Sequence, residues 1–137
     1  MLARALTGLA QIERDLNNNV QATQHYSEAA TLYRNLPDPL RVAHTTRHIG
    51  DILRREGSIE QARPCYEESL AIYRKHSETS PLDLANAIRG FALLTADAGE
   101  TERATSLWQE ARTLYHAAGV QPGVQESDGQ IARLARQ

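Results

Sequence analysis

CYEESLAIYR, Cys65 to Arg74, decides how this chain is read, because it is written three times. HYSEAATLYR, His25 to Arg34, stands forty residues earlier, and LWQEARTLYH, Leu107 to His116, forty-two residues later. Tyr26, Tyr66 and Trp108 correspond, as do Tyr33, Tyr73 and Tyr115. Around them small residues recur at fixed offsets: Ala22, Ala62 and Ala104 before, Ala29, Ser69 and Ala111 after. Further upstream the triplets are Ala10, Gly50 and Ala92, each preceded by a larger apolar residue, Leu9, Ile49 or Phe91. Ala3, Ala43 and Ala85 open the series. Self-similarity at a period of 20–50 residues is the signature of stacked repeat units. Small residues at fixed points imply close helix–helix approach, with the large ones filling the space beside them.

The breaks recur as well. Asn17, Gly57 and Gly99 hold one equivalent position, and Gly and Asn tolerate the left-handed backbone that closes a helix. Asp38-Pro39 and Ser80-Pro81 each read as an N-cap followed by proline at the first helical position. Ser58 with Gln61 is a candidate capping box. Tyr66, Ser69, Leu70 and Tyr73 follow the i, i+3, i+4, i+7 spacing of an amphipathic helix, and no useful stretch alternates with period two. These signals predict an all-α chain of three antiparallel helix pairs at 2–16 and 19–35, 39–56 and 59–76, 81–98 and 101–117. Pro64 falls inside the fourth helix, where it is expected to bend the helix without breaking it. The tail GVQPGVQESDGQIARLARQ fits the repeat poorly; Val124, Ile131 and Leu134 give it one apolar stripe, so a capping helix is expected at 124–136.

GDILRREGSIEQARPCYEESL, Gly50 to Leu70, resembles the tetratricopeptide repeat: a large residue before a Gly or Ala, an Ala twelve later, an aromatic four further, a small residue three beyond. The 40–42-residue period and phrases such as ESLAIYRKH are similar to kinesin light chain-like repeats. The resemblance covers residues 2–118. It implies a right-handed α-α superhelix, a solenoid of three helix pairs plus the cap, forming one domain over 1–137 with repeats at about 2–38, 39–80 and 81–121. The family's proline near the end of each second helix is absent; Arg34, Arg74 and His116 stand there.

The resemblance also implies a binding face. First helices line the concave surface in such solenoids, and the groove positions carried over are Arg4, Thr7, Gln11 and Arg14; His44, Arg47, His48, Asp51, Arg54 and Arg55; and Asn86, Arg89, Gly90, Leu93 and Asp97. The middle helix is strongly basic on one side, although the whole chain carries a net charge of −2. Guanidinium forks suit carboxylates and phosphates, so an acidic or phosphorylated peptide is the expected partner, with Arg47 and Arg89 as principal contacts. The competing reading pairs these arginines with Asp51, Asp97 and Glu56. The subgroup that grips a terminal carboxylate with a Lys/Asn/Arg clamp is disfavoured, because Thr7, Gln11, His48, Asn86 and Gly90 occupy its positions.

Other chemistry finds little support. HTTRH, His44 to His48, lacks the glutamate of a zinc-protease helix, and Arg47 would oppose a cation, so no metal or other cofactor is expected. Cys65 has no histidine close in sequence to activate it and reads as packed. No catalytic constellation is present, so an enzyme is not expected. A near-neutral charge and 5% aromatics argue against nucleic acid. No apolar run approaches the roughly 20 residues of a membrane span. A lone cysteine excludes an intrachain disulfide and suits a cytoplasmic setting, and Lys75, the single lysine beside fourteen arginines, suggests a GC-rich bacterial gene. The functional expectation is a protein- or peptide-binding module. The alternatives are a self-assembly module that dimerises through its uncapped N-terminal end, or a fragment of a longer scaffold.

Overall fold

The computed structural model describes residues 2–137. Seven helices follow one another: α1 Leu2–Asp15, α2 Asn19–Asn35, α3 Pro39–Arg55, α4 Ile59–Lys75, α5 Pro81–Asp97, α6 Thr101–Ala117 and α7 Gln121–Ala135. No strand occurs among the described residues. Each boundary has a local cause. The Asp38 carboxylate accepts from the Arg41 amide at 3.3 Å and the Ser80 hydroxyl from the Asp83 amide at 3.1 Å. Each satisfies one of the donors that a helix start leaves without a partner. At the other end, Asn17, Gly57, Gly99 and Gly119 have positive φ. The following amide then reaches back five residues: Asn18 to Glu13, Ser58 to Leu53, Glu100 to Thr95, Val120 to Tyr115, at 2.7 to 2.9 Å. This is the hydrogen bond of a Schellman turn, and its recurrence gives one tight turn geometry four times. Helix α4 continues through Pro64.

The chain divides into two compact units, Met1–Lys75 and His76–Gln137. In the first, α1 packs on α2, α2 on α3 and α3 on α4. Among the described residues, Ala10, Ala22, Tyr26, Ile49 and Ile52 form one apolar cluster in it, and Ala3, Ala29, Tyr33 and Val42 another. The small residues face the tyrosine rings. A Cβ on Gly50 would stand 3.2 Å from the Tyr66 ring, which is tight packing between α3 and α4.

In the second unit, α5 packs on α6 and α6 on α7. Trp108, Ile88, Leu94 and Ala92 are fully buried there. Helix α7 starts at Gln121, three residues before the sequence-based expectation, with Pro122 in its first turn. Proline suits that turn because the amide it lacks would have had no intrahelical acceptor. Gly123 lies against the Tyr115 ring so closely that a Cβ would come within 2.4 Å of it. Val124 and Leu134 are buried as expected of a cap; Ile131 is half-buried.

Candidate functional site

Helices α1 and α3 flank a cavity of about 290 Å³ in the first unit. Arg4, Thr7, Gly8 and Gln11 line it from α1; Arg41, His44, Thr45 and His48 from α3; Tyr26 and Tyr33 from α2. The structure thus brings together Arg4, Thr7, Gln11, His44 and His48 from the expected groove set. Among the described residues no carboxylate lines the cavity. Arg4 and Arg41 are exposed at it, and the Arg41 guanidinium lies 6.0 Å over the Tyr33 ring. Tyr26, Tyr33, Arg41 and Thr45 were not foreseen. The tyrosines serve the core with one ring face, so their repeat position signalled packing alone; Arg41 and Thr45 extend the cavity along α3.

His48 is the wall of this cavity and the link to what lies behind it. Its ring stacks on Tyr26, centroids 5.3 Å apart, and meets His44 edge-on at 4.5 Å. Arg14 Nη1 donates to His48 Nδ1 at 2.8 Å. Arginine can only donate, so Nδ1 accepts here, while Nε2 faces His44 Nε2 at 3.1 Å and Arg47 Nη2 at 3.4 Å. Burial and the neighbouring Arg47, His44 and Arg14 lower the His48 pKa to about 2. His48 therefore stays neutral through the physiological range. Gln11 accepts from the Tyr26 hydroxyl at 3.2 Å, and the Thr7 hydroxyl donates to the Arg4 carbonyl at 2.8 Å.

Behind His48 lies Asp51, a buried carboxylate shared by three arginines. Arg47 Nη1 donates to Oδ2 at 3.1 Å, while Arg14 Nη2 and Arg54 Nη2 stand 3.9 Å from its oxygens. The Tyr66 hydroxyl also donates to Asp51 and accepts from Arg54 Nε at 3.1 Å. Burial, then the Asp51 charge, holds that phenol protonated far above its usual range. The Arg14, Arg47 and Arg54 side chains are only 11–14% exposed. Three guanidiniums against one carboxylate leave two positive charges without a counter-ion inside the cluster, and Arg47 Nε is buried with no acceptor. The nearby Glu13 is engaged by His25 Nδ1 at 2.5 Å. Arg55 lies apart, exposed beside a second cavity of about 260 Å³ with Arg14, Asn17, Asn19, Ile52 and Glu56.

The second unit treats its expected groove residues differently. Arg89 donates in a two-pronged contact to Glu126 of α7, Nε to Oε1 at 2.6 Å and Nη2 to Oε2 at 2.9 Å. Asn86 accepts from the Tyr115 hydroxyl at 2.7 Å, and Leu93 is half-buried. Asn86 and Arg89 line a cavity of about 440 Å³ with Leu82, Tyr115, Val120, Pro122, Gly123 and Glu126. The Arg89–Glu126 pair was invisible in sequence because it depends on where α7 lies against α5. Among the described residues no group of three His, Cys, Asp or Glu side chains is placed to hold a metal ion, and no helix is long and apolar enough to cross a membrane.

The Tetratricopeptide repeat family pattern matches residues 1–75, and the chain belongs to that family. None of the curated proteins matches the sequence. Among solved structures, the crystal structure of BtubC (BKLC) from P. vanneervenii, a kinesin light chain-like tetratricopeptide protein, is similar with a TM-score of 0.73 at 15% identity. The match covers 98% of this chain and 63% of that one. The likeness confirms the all-α helical-repeat fold expected from the triplicated pattern. Members of the family generally mediate protein–protein interaction or scaffolding.

Proposed function

We propose that the α1/α3 cavity of the first unit binds an acidic segment of a partner protein. One observation carries this reading: cations stand at the rim and behind the wall of a cavity whose lining holds no carboxylate. Arg4 and Arg41 would meet the ligand's charges directly. Arg14, Arg47 and Arg54 would add a fixed positive potential through His48, which itself stays neutral and offers an aromatic face. A concave site with low-dielectric walls focuses such a field. The Arg89–Glu126 contact is an internal precedent for the chemistry, since Arg89 is the repeat equivalent of Arg47 and holds a glutamate in a fork. Arg89 would contact a partner only by exchanging Glu126 for the partner's acid. A non-catalytic role, a cytoplasmic setting and a bacterial source belong to the same reading.

The test is fluorescence anisotropy with an acidic peptide and its charge-reversed counterpart, against the parent and an Arg4→Ala/Arg41→Ala variant. Both side chains are exposed, so the fold is retained. The acidic peptide should bind the parent, weaken by about tenfold in the variant, and weaken further with salt, because exposed charges are screened over about 8–10 Å. Equal binding to parent and variant would place recognition elsewhere. A second reading, self-association, is favoured by the exposed apolar face of α1.

A further inference from the structure

Leu2, Ala5, Leu9 and Ile12 on α1 and Leu16 just past its end follow one another at spacings of three, four, three and four. That is the seam spacing of paired helices. Leu2, Leu9, Ile12 and Leu16 are 63%, 44%, 58% and 66% exposed, and Val20 beside them 77%. Ala5 is exposed too. Outside this patch, the exposed large apolar residues among those described are Leu36 and Leu82, each standing alone.

The internal repeat says what such a face is for. Forty residues on, the equivalents of Leu2, Ala5, Leu9 and Ile12 are Val42, Thr45, Ile49 and Ile52 of α3. All four are buried, the apolar three against Ala22, Tyr26, Ala29 and Tyr33 of α2. The face on α1 is therefore a helix-docking face of the same kind, with no helix on it in this structure. Its exposed apolar side chains amount to about 500 Å², the upper end of what a monomer leaves in water. Doubled, that is about 1,000 Å² over two copies, the lower end of what a specific interface buries in total, with flanking polar residues adding to it.

We propose that this face pairs with the α1 of a second copy, antiparallel, about a two-fold axis at Leu9; the proposal rests on the self-association reading and gives it a geometry. The sequence is self-matching under that operation. Leu2 meets Leu16 of the other copy, Leu9 meets itself, and small Ala5 falls within one residue's rise, about 1.5 Å, of level with large Ile12. A two-fold interface must be complementary to itself in this way. Charge agrees: antiparallel pairing brings Arg4, near one end of the seam, toward Asp15 of the second copy, near the other. Helix α7 is a poor rival for the same face. Its apolar residues Val124 and Leu134 are turned inward, and Gln125, Asp128, Gly129, Ala132 and Arg133 are exposed.

Sedimentation velocity from micromolar to sub-millimolar protein should find a dimer, and Leu9→Glu/Ile12→Glu should give a monomer with unchanged helical circular dichroism. A second measurement reads the geometry. In a Cys65→Ser background, protein carrying Leu2→Cys mixed with protein carrying Leu16→Cys should form a mixed disulfide on mild oxidation, and neither alone should cross-link. A parent chain that stays monomeric throughout, or a dimer that ignores the double substitution, overturns the pairing itself. A dimer that cross-links Leu2→Cys to Leu2→Cys overturns the antiparallel arrangement while leaving self-association standing.

Discussion

His48 sets the electrostatic character of the groove by refusing a proton. Its unfolded value is near 6.5 and its folded value near 2, so below pH 6.5 the unfolded chain binds a proton that the folded chain does not. The stability conferred by burying neutral His48 is complete above pH 6.5 and is lost progressively as pH falls toward 2. The slope approaches about 1.4 kcal/mol per pH unit. Denaturant melts from pH 7 to 4 should show His48→Gln losing less stability than the parent, because glutamine can still accept from Arg14 and has nothing to protonate. Parallel pH profiles would mean that His48 is solvated and charged when folded. Gly123 makes a steric prediction at the same scale. Gly123→Ala would drive a methyl into the Tyr115 ring and should lower stability by about 1–3 kcal/mol, read as an earlier denaturant midpoint. Gly50, at 3.2 Å from its ring, should tolerate alanine better.

Helix by helix, much of the fold is legible in sequence, because its signals are local. Asp38-Pro39 and Ser80-Pro81 announce helix starts, and Asn17, Gly57 and Gly99 announce stops. The predicted ends of the six repeat helices fall within one residue of those observed. Helix α7 starts three residues before its apolar stripe, Val124, Ile131 and Leu134, suggests, because Pro122 is a first-turn proline and Gly123 a contact with Tyr115. Of the groove positions expected on α1 and α3, Arg4, Thr7, Gln11, His44 and His48 line one cavity, since repeat position fixes the face a side chain occupies. What each does there was not legible. Asp51 read both as a groove contact and as a counter-ion for the arginines; it is the buried counter-ion of Arg47 and Arg54, and also of Arg14, whose approach from α1 the sequence did not show. That arrangement has a testable consequence. Asp51→Asn would leave three guanidiniums facing one another, and breaking a buried charge pair costs about 3 kcal/mol or more. Millimolar phosphate or sulfate should restore part of the lost melting temperature by taking the place of the carboxylate. A variant as stable as the parent would show that the cluster is already screened by water.

For the whole molecule, the repeat pattern gives the class of protein and leaves the ligand to be read from charge. The two units differ in this respect. In the second, Arg89 is held by the chain's own Glu126. In the first, the cationic cluster behind His48 has one carboxylate for three arginines, and the cavity in front of it has none. We propose that a partner's acidic segment satisfies this imbalance. The most direct test is a ¹H–¹⁵N correlation titration of the assigned protein with an acidic peptide. Saturable shifts are expected, concentrated at Arg4, Thr7, Gln11, Arg41, His44 and His48, with the Arg14 and Arg47 side-chain signals moving alongside. Shifts confined to other helices, or none at peptide concentrations that saturate binding by anisotropy, would contradict it.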